Sequence, residues 1–325
     1  MSIKQAVLER LEAAPGQDIS GQTLAKELGV SRSAIWKAIS SLRQEGYQIS
    51  SSTNKGYCLS PENDLLSAEA IRRGLNPDYQ DIDIRIYQEI DSTNNEAKRL
   101  LPQNDAKIML LLAEQQSQGR GRQGRSFFSP QHSGLYMSLV IHPRAELAGA
   151  LSITTMTSVA VARAIRKLSD LQPQIKWVND LYLCGKKICG ILTEAVTDFE
   201  TATVQSLIIG IGVNVHETAF PPELAEIGGS LQAQGLSRSA LAAEIVNQLL
   251  PLAANLQDHS YLEDYRRYSL VLGREINYFI QGVAYPAVAL AIDDEGGLLI
   301  RRKDGQELTL SSGEISVRLA KTGED

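Results

Sequence analysis

The chain has 325 residues, long for one hydrophobic core, so two or three domains are expected. An apolar share of 43% with 22% charged residues describes an ordinary globular protein, and no run approaches the ~20 apolar residues that span a bilayer. The formal charge of −6 is uneven: residues 1–60 hold seven Lys/Arg against five Asp/Glu, a net of +2, which leaves −8 on the rest. A mildly basic head on an acidic body fits a small nucleic-acid module attached to something else. Met1-Ser2-Ile3-Lys4 leads into an amphipathic segment rather than a signal peptide. Cys58, Cys184 and Cys189 are few and odd in number, which points to reduced thiols and a cytoplasmic protein. Cys184 and Cys189 lack the partners of a zinc site, and the four histidines are scattered, so no metal ligands are assigned.

In chain order, residues 3–14 predict a helix with Ile3, Val7, Leu8 and Leu11 on one stripe, ended by Pro15-Gly16. Ser20 caps a short helix through Leu28, with Leu24, Ala25 and Leu28 inward, and Gly29-Val30-Ser31 makes a tight turn. Ser31 caps a third helix to about Glu45 that buries Ala34, Ile35, Ala38, Ile39 and Leu42. Its other side carries Arg32, Ser33, Trp36, Lys37 and Ser40. Two short helices joined at a glycine turn, the second exposing small polar and basic groups, form a helix-turn-helix pattern. A hairpin from 47–51, a turn at Thr53-Asn54-Lys55-Gly56 and 57–59 supplies the wing. The DNA-facing set is then Gln22, Thr23, Ser31, Arg32, Ser33, Trp36, Lys37 and Ser40. A three-helix protein-interaction module is the competing reading, and Trp36 has two possible places, on the DNA face or packed on the wing.

Pro61-Glu62-Asn63-Asp64 reads as a linker. Beyond it, strands are predicted at 82–90, 108–113, 135–141, 174–178, 188–196 and 204–215, and helices at 91–101, 149–168 and 239–256. Residues 197–203 read as a hairpin tip. Strands adjacent without intervening helices argue for an α+β domain with a mixed or antiparallel sheet. Residues 273–319 contain five short β-type runs, at 275–280, 283–292, 298–302, 307–311 and 315–319, separated by tight turns, the pattern of a small SH3-like barrel.

Four clusters near strand ends carry the chemistry. Gly119-Arg120-Gly121-Arg122-Gln123-Gly124-Arg125 lies between two apolar strands. Its glycines let backbone approach a ligand, and its arginines present forked donors that match phosphate and carboxylate oxygens. A solvated basic loop or an RNA-binding arginine-glycine segment are the alternatives. Asp91-Ser92-Thr93-Asn94 offers hydroxyls and an amide to a polar head group, or serves only as a helix cap. Lys176-Trp177-Val178-Asn179-Asp180 ends a strand; a strand lysine points to an anion or to Asp180 nearby, unless this is a plain surface turn. Gly210-Ile211-Gly212-Val213-Asn214 puts two glycines in an apolar strand, for close approach of a ligand or a second backbone, or at a bulge.

These motifs, with Gln116 and Lys187-Ile188-Cys189-Gly190-Ile191-Leu192 in the same order, closely resemble biotin–protein ligases. With the N-terminal helix-turn-helix, the chain resembles the bifunctional form that also represses biotin synthesis genes. The likeness covers nearly the whole chain, and Gly313-Glu314-Ile315-Ser316 resembles the family's closing strand. Val178 departs from the pattern, where the family usually has proline. The resemblance implies a winged helix-turn-helix at 1–62, a class II synthetase-like ligase domain at 65–270 and an SH3-like domain at 271–321.

It also implies two half-reactions: biotin and ATP, with Mg²⁺, give biotinyl-5′-adenylate, and a lysine of a biotin carboxyl carrier protein then takes the biotin. Carried over by motif, Lys176 and Arg120 are catalytic. Gly119, Arg120, Gly121 and Arg122 hold the carboxylate and phosphate, and Ser92, Thr93, Asn94 and Gln116 hold the ureido head. Asn179 and Asp180 serve the nucleotide or its Mg²⁺, and Gly190 joins the binding set. The adenylate-bound form is expected to be a homodimer on operator DNA, with no membrane partner. A ligand-sensing regulator without ligase turnover is the alternative. A ligase for a related cofactor such as lipoate is another; the head-group motif and the DNA-binding head argue against it.

Overall fold

A computed structural model describes residues 2–52, 55–60, 64–103, 107–142, 149–197, 204–216, 218–280, 282–311 and 316–319. The wing turn at Thr53-Asn54, the linker Pro61-Glu62-Asn63, the hairpin tip at 198–203 and Gly313-Glu314-Ile315 lie outside the described residues.

The N-terminal unit contains α1 (Ile3–Glu12), α2 (Gly21–Glu27), α3 (Arg32–Gln44) and a hairpin of β1 (Ile49–Ser52) and β2 (Gly56–Leu59). Each helix begins at a serine whose hydroxyl accepts a backbone N–H: Ser2 from Gln5, Ser20 from Thr23 and Ser31 from Ala34. Val7, Leu11, Leu24, Ile35, Ile39 and Leu42 close a small core of their own. Three expected core positions differ. Ile3 is 43% exposed, one turn ahead of the buried stripe, while Leu28 and Ala34 sit half-buried at the core's edge.

The central unit follows with α4 (Ala68–Gly74), β3 (Asp83–Ile90), α5 (Thr93–Leu100), β4 (Met109–Gln116), β5 (Gly134–Ile141), α6 (Gly149–Leu168), β6 (Gln174–Lys176), β7 (Asp180–Leu183), β8 (Lys186–Thr197), β9 (Val204–Asn214), α7 (Pro222–Ala225), α8 (Arg238–Ala253) and α9 (Leu262–Arg267). Its seven strands run β3-β4-β5-β9-β8-β7-β6, with β3 and β4 parallel and every other pair antiparallel. The mixed sheet is the predicted one, but the predicted strand at 174–178 stops at Lys176. There the chain turns back through Trp177-Val178-Asn179 to form β7.

Side chains alternate between the two faces. Leu110 and Leu112 of β4 join Leu139, Ile153, Val159, Leu241 and Ile245 in the main core, beneath α6 and α8. Met109, Leu111, Val140 and Ile208 point the other way and pack with Ala97 of α5. The rest of that second face carries the cavity described below.

The C-terminal unit is a five-stranded antiparallel sheet of β10 (Glu275–Ile280), β11 (Val283–Ile292), β12 (Leu298–Arg302), β13 (Glu307–Leu310) and β14 (Ser316–Leu319), in the order β13-β12-β11-β10-β14. Its turn at 293–297 reaches the central unit, where the Trp177 indole N–H donates to Gly296 O at 3.0 Å. At the other end, Asp64 joins the central unit to the segment that follows the wing. Its carboxylate accepts from Arg238 N at 2.7 Å and pairs with Arg238 Nε at 3.0 Å. Arg238 and Glu114, each 1% exposed, form a buried ion pair at 2.8 Å.

Candidate active site and nucleic-acid interface

Three cross-strand rows on the second face of the sheet set the floor of the site. Tyr136, Gly212 and Gly190 form one row, Ser138, Gly210 and Leu192 the next, and Val140, Ile208 and Glu194 the third. The register of β8 against β9 is continuous through these rows and breaks only between Val196 and Thr197, so Gly210 and Gly212 are not a bulge. They leave room for side chains that stand on the sheet. A Cβ on Gly210 would collide with Asn94 Oδ1, and one on Gly212 would lie 2.5 Å from the Phe127 ring. Gly190 faces the same ring from β8.

Above this floor lies a cavity of about 890 Å³, a size suited to one small-molecule ligand with its nucleotide. Every predicted site residue except Gly119 lines it: Ser92, Thr93, Asn94, Gln116, Arg120, Gly121, Arg122, Lys176, Asn179, Asp180 and Gly190. Gly119 supports from behind, since a side chain there would strike Phe127 O and Ser129 Oγ.

At one end of the cavity, Ser92, Thr93 and Asn94 are buried at the start of α5. Ser92 stands at the N-cap position, yet its side chain makes no capping hydrogen bond, so helix capping does not account for it. Gln116 at the end of β4 accepts from Thr93 N at 2.9 Å and donates to Ser129 Oγ at 2.9 Å. Ser138 Oγ lies 2.7 Å from Thr93 Oγ1 and 2.6 Å from Asn94 Oδ1. Behind this group, burial alone would raise the Asp91 carboxyl, but hydrogen bonds from Arg99 and Asn95 bring its pKa down to about 2. The Asp91–Arg99 pair, at 2.5 Å, ties the strand end to α5.

Four cations also line the cavity, Arg120 beside the head-group cluster and Arg122, Lys176 and Lys187 about the β6–β7 turn. Arg120 donates to Asn95 Oδ1 and Glu194 Oε1, both at 3.1 Å. Arg122 donates to Asn179 Oδ1 at 3.2 Å, so the arginine-glycine loop is tied to the β6–β7 turn. Burial draws the pKa of Arg122 below its ordinary value, with the charge of Asp180 opposing. Lys176 Nζ donates to Tyr182 OH at 3.4 Å and lies 5.2 Å from that ring's centre. Asp180, which the sequence left open as its neighbour, stands across the β6–β7 pair from Lys176 and forms an ion pair with Lys187 at 2.7 Å. The turn itself is clamped: Tyr265 OH donates to Val178 O at 3.1 Å, and Asn179 Nδ2 to Ile191 O at 2.9 Å. Burial pushes the Tyr265 hydroxyl well above the usual range, so it stays a donor at neutral pH. The Trp177–Val178 peptide is cis, at the position where the resembled family usually has proline.

In the N-terminal unit, a second, polar cleft of about 730 Å³ opens between α2, α3 and the wing. Gln22, Arg32, Ser33 and Trp36 line it from the helices, with Ser51, Ser52 and Tyr57 from the hairpin. Trp36 is 60% exposed, so it is not packed away on the wing. Thr23, Ser31 and Lys37 are exposed beside the cleft, and Ser40 is half-buried at its flank. The Ser31 hydroxyl is engaged as the cap of α3 and in a 2.8 Å bond with Ser33 Oγ.

The chain's likenesses follow the same division. Residues 4–58 match an HTH domain family, residues 86–214 the Biotin/lipoate A/B protein ligase family, and residues 271–318 the Biotin protein ligase C terminal domain family. The bifunctional ligase/repressor BirA of Bacillus spizizenii is 34% identical over 313 residues, covering 94% of this chain and 95% of that protein. The chain belongs to the bifunctional ligase/repressor family. The Escherichia coli member is 31% identical over 316 residues, with the same coverage. Among solved structures, a biotin protein ligase from Aquifex aeolicus, in complex with biotin and ATP, is 26% identical with a TM-score of 0.61. It matches 73% of this chain and 99% of its own.

Within this family frame, the structure adds residues that sequence reasoning did not assign. Lys187 is a further cation on the cavity wall, and Phe127 sits on the glycine floor. Ser138 and Glu194 hold Asn94 from beneath. Ser138 and Glu194 had a signal, since each is a polar residue in an apolar strand, as Lys176 is. Phe127 had none, because an aromatic residue after a loop reads as ordinary core.

Proposed function

We propose that the central site activates biotin with ATP to biotinyl-5′-adenylate and then transfers biotin to a lysine of a biotin carboxyl carrier protein. With the adenylate bound, the protein pairs as a homodimer and represses biotin synthesis genes through its winged helix-turn-helix. The observation that carries the reading is one cavity lined both by a buried neutral polar cluster, Ser92, Thr93 and Asn94, and by the cations Arg120, Arg122, Lys176 and Lys187. The protein works in the cytoplasm, where Cys58, Cys184 and Cys189 are free thiols.

The difficulty in the first half-reaction is charge. A biotin carboxylate oxygen attacks the α-phosphorus of ATP, the bond to the β-phosphate oxygen breaks, and pyrophosphate leaves. Two anions meet while negative charge grows between them. Fixed cations in a partly dry site favour that arrangement over separated reactants. Lys176 lies at the reacting oxygens, and Arg120 and Arg122 with the loop amides hold the carboxylate and phosphate. Ser92, Thr93, Asn94 and Gln116 take the ureido head, and a site with such buried polar groups rejects analogues that leave them unpaired. In the second half-reaction a lysine amine attacks the acyl carbon and AMP departs. Before that the adenylate is exposed to hydrolysis, and the arginine-glycine loop closes over it.

Mg²⁺ fits the site as a companion of the nucleotide. No group of three or more His, Cys, Asp or Glu suited to hold a metal occurs among the described residues. Asp180, beside Asn179 and paired with Lys187, and Glu226 are carboxylates on the cavity wall, and Mg²⁺ commonly binds through one or two carboxylates with the rest of its shell from phosphates and water. When bound, the ion supplies charge neutralisation to the phosphates.

The test is incubation with biotin and ATP. Biotin-dependent pyrophosphate release supports ligase turnover, and its absence with operator binding intact supports the non-turnover regulator instead.

A further inference from the structure

We propose that Trp36 sets part of the operator's sequence: its indole meets the 5-methyl group of a thymine in the major groove. This rests on the repressor reading above and adds to it the base feature that the winged unit reads.

Trp36 lies in the middle of α3, whose inner side buries Ile35, Ala38, Ile39 and Leu42. Helical spacing puts it one turn after Arg32 and Ser33 and one turn before Ser40. The other exposed large apolar side chain among the described residues of the N-terminal unit is Ile3, at the start of α1. The indole is therefore not there to fill the small core. The cleft that it lines is held in shape without a ligand. Ile19 N donates to Tyr57 O and Tyr57 N to Ile19 O, both at 2.9 Å, so the wing is zipped to the segment before α2. Arg43 Nε donates to Ile49 O at 2.7 Å and ties α3 to β1. The Tyr57 ring rests on Gly21, where a Cβ would lie 3.2 Å from it.

The chemistry of the cleft selects duplex DNA as its occupant. Arg32 lines it, and among the described residues no Asp or Glu does. The elements that build it lie within the helix-turn-helix match. In the major groove the base edges offer hydrogen-bond donors and acceptors, and the distinctive apolar group is the thymine methyl. An indole has one N–H donor and no acceptor, so it cannot read guanine or adenine by a paired contact. Arg32, one turn earlier, has the forked donors for a guanine or for phosphates. The apolar face of Trp36 is left with the methyl. The other use of this side chain is an indole N–H bond to a phosphate, which would carry no base preference.

The experiment measures affinity of the full chain, with biotin and ATP present, for the operator of its biotin synthesis genes. Each thymine is replaced in turn by deoxyuridine at the symmetric positions of both half-sites, which removes the methyl and keeps the pairing. In the wild type, one such position is expected to weaken binding about tenfold, roughly fourfold for each methyl taken out of apolar contact. In Trp36→Ala that penalty falls to about twofold or less, and the salt slope stays at the wild-type value. Arg32→Ala does the reverse: the methyl penalty remains and, where a phosphate contact is lost, the salt slope falls. Wild-type affinity within twofold at every deoxyuridine position would overturn the proposal, a result that needs no folded variant. So would an undiminished penalty in Trp36→Ala, or a salt slope lowered by Trp36→Ala, the sign of a phosphate contact. Wild type failing to bind operator DNA at all would instead bring down the repressor reading beneath it.

Discussion

Lys176 and Arg122 belong to the same charged end of the cavity, but their expected mutant behaviour differs. Lys176 is assigned to charge that grows in the transition state, and losing one such group costs about 3–4 kcal/mol of barrier, roughly 10²–10³ in rate. Lys176→Ala is expected to lose pyrophosphate release on that scale while still binding biotin. Release within threefold of wild type would reject the assignment. Arg122 ties the loop to Asn179. Arg122→Gly removes a charge-assisted bond of roughly 1.5–3 kcal/mol and adds freedom to the open loop. Adenylate is then expected to form but leave early, so that an unrelated protein such as serum albumin becomes biotinylated. Equal, negligible labelling by mutant and wild type, with adenylate formation confirmed in both, would contradict the retention role. At this scale the motif residues were legible because loops at strand ends concentrate unusual residue types. Phe127 was not, since its place on the glycine floor follows from strand pairing that a linear reading does not reveal; Lys187 and Glu194 stood out as charged residues in a strand, but their partners did not.

Helix α3 is the element expected to carry DNA recognition. Arg32 lines the cleft between helices and wing, and Lys37 is exposed on the same helix. Arg32→Ala and Lys37→Ala are each expected to weaken operator binding and, where a phosphate contact is lost, to lower the log–log salt slope by about one. Biotin transfer should be untouched. Several-fold loss of transfer with operator affinity intact would overturn this division between elements. The elements themselves were legible where local chemistry marks their ends. Serines at the N-caps placed α2 and α3, an apolar stripe ended by Pro15-Gly16 placed α1, and turns at Asp293-Asp294-Glu295-Gly296-Gly297 and Asp304-Gly305 placed β11 to β13 within a residue. The predicted strand at 174–178 was too long because an apolar Trp-Val pair reads as strand whether it pairs or turns. Four-residue β7, seven-residue α4 and six-residue α9 escaped notice since each is too short to show a period.

For the whole molecule, the expectation is that ligand state controls assembly, and assembly controls DNA binding. One winged unit reads one half-site, and a two-fold dimer on a palindromic operator is the usual solution. Sedimentation with and without biotin plus ATP is expected to show a dimer only when both are present. An unchanged monomer that still binds operator tightly would contradict it. The three-part organisation was legible from composition and motif order. The joints were not: the buried Arg238–Glu114 pair with Asp64, and the Trp177–Gly296 bond, connect residues more than a hundred positions apart.

The most direct measurement is transfer of labelled biotin to the lysine of a carrier domain by the full chain, with ATP present or omitted. ATP-dependent labelling of that lysine, accompanied by pyrophosphate release, is expected. A protein that binds biotin and operator DNA but neither releases pyrophosphate nor labels the carrier would contradict it.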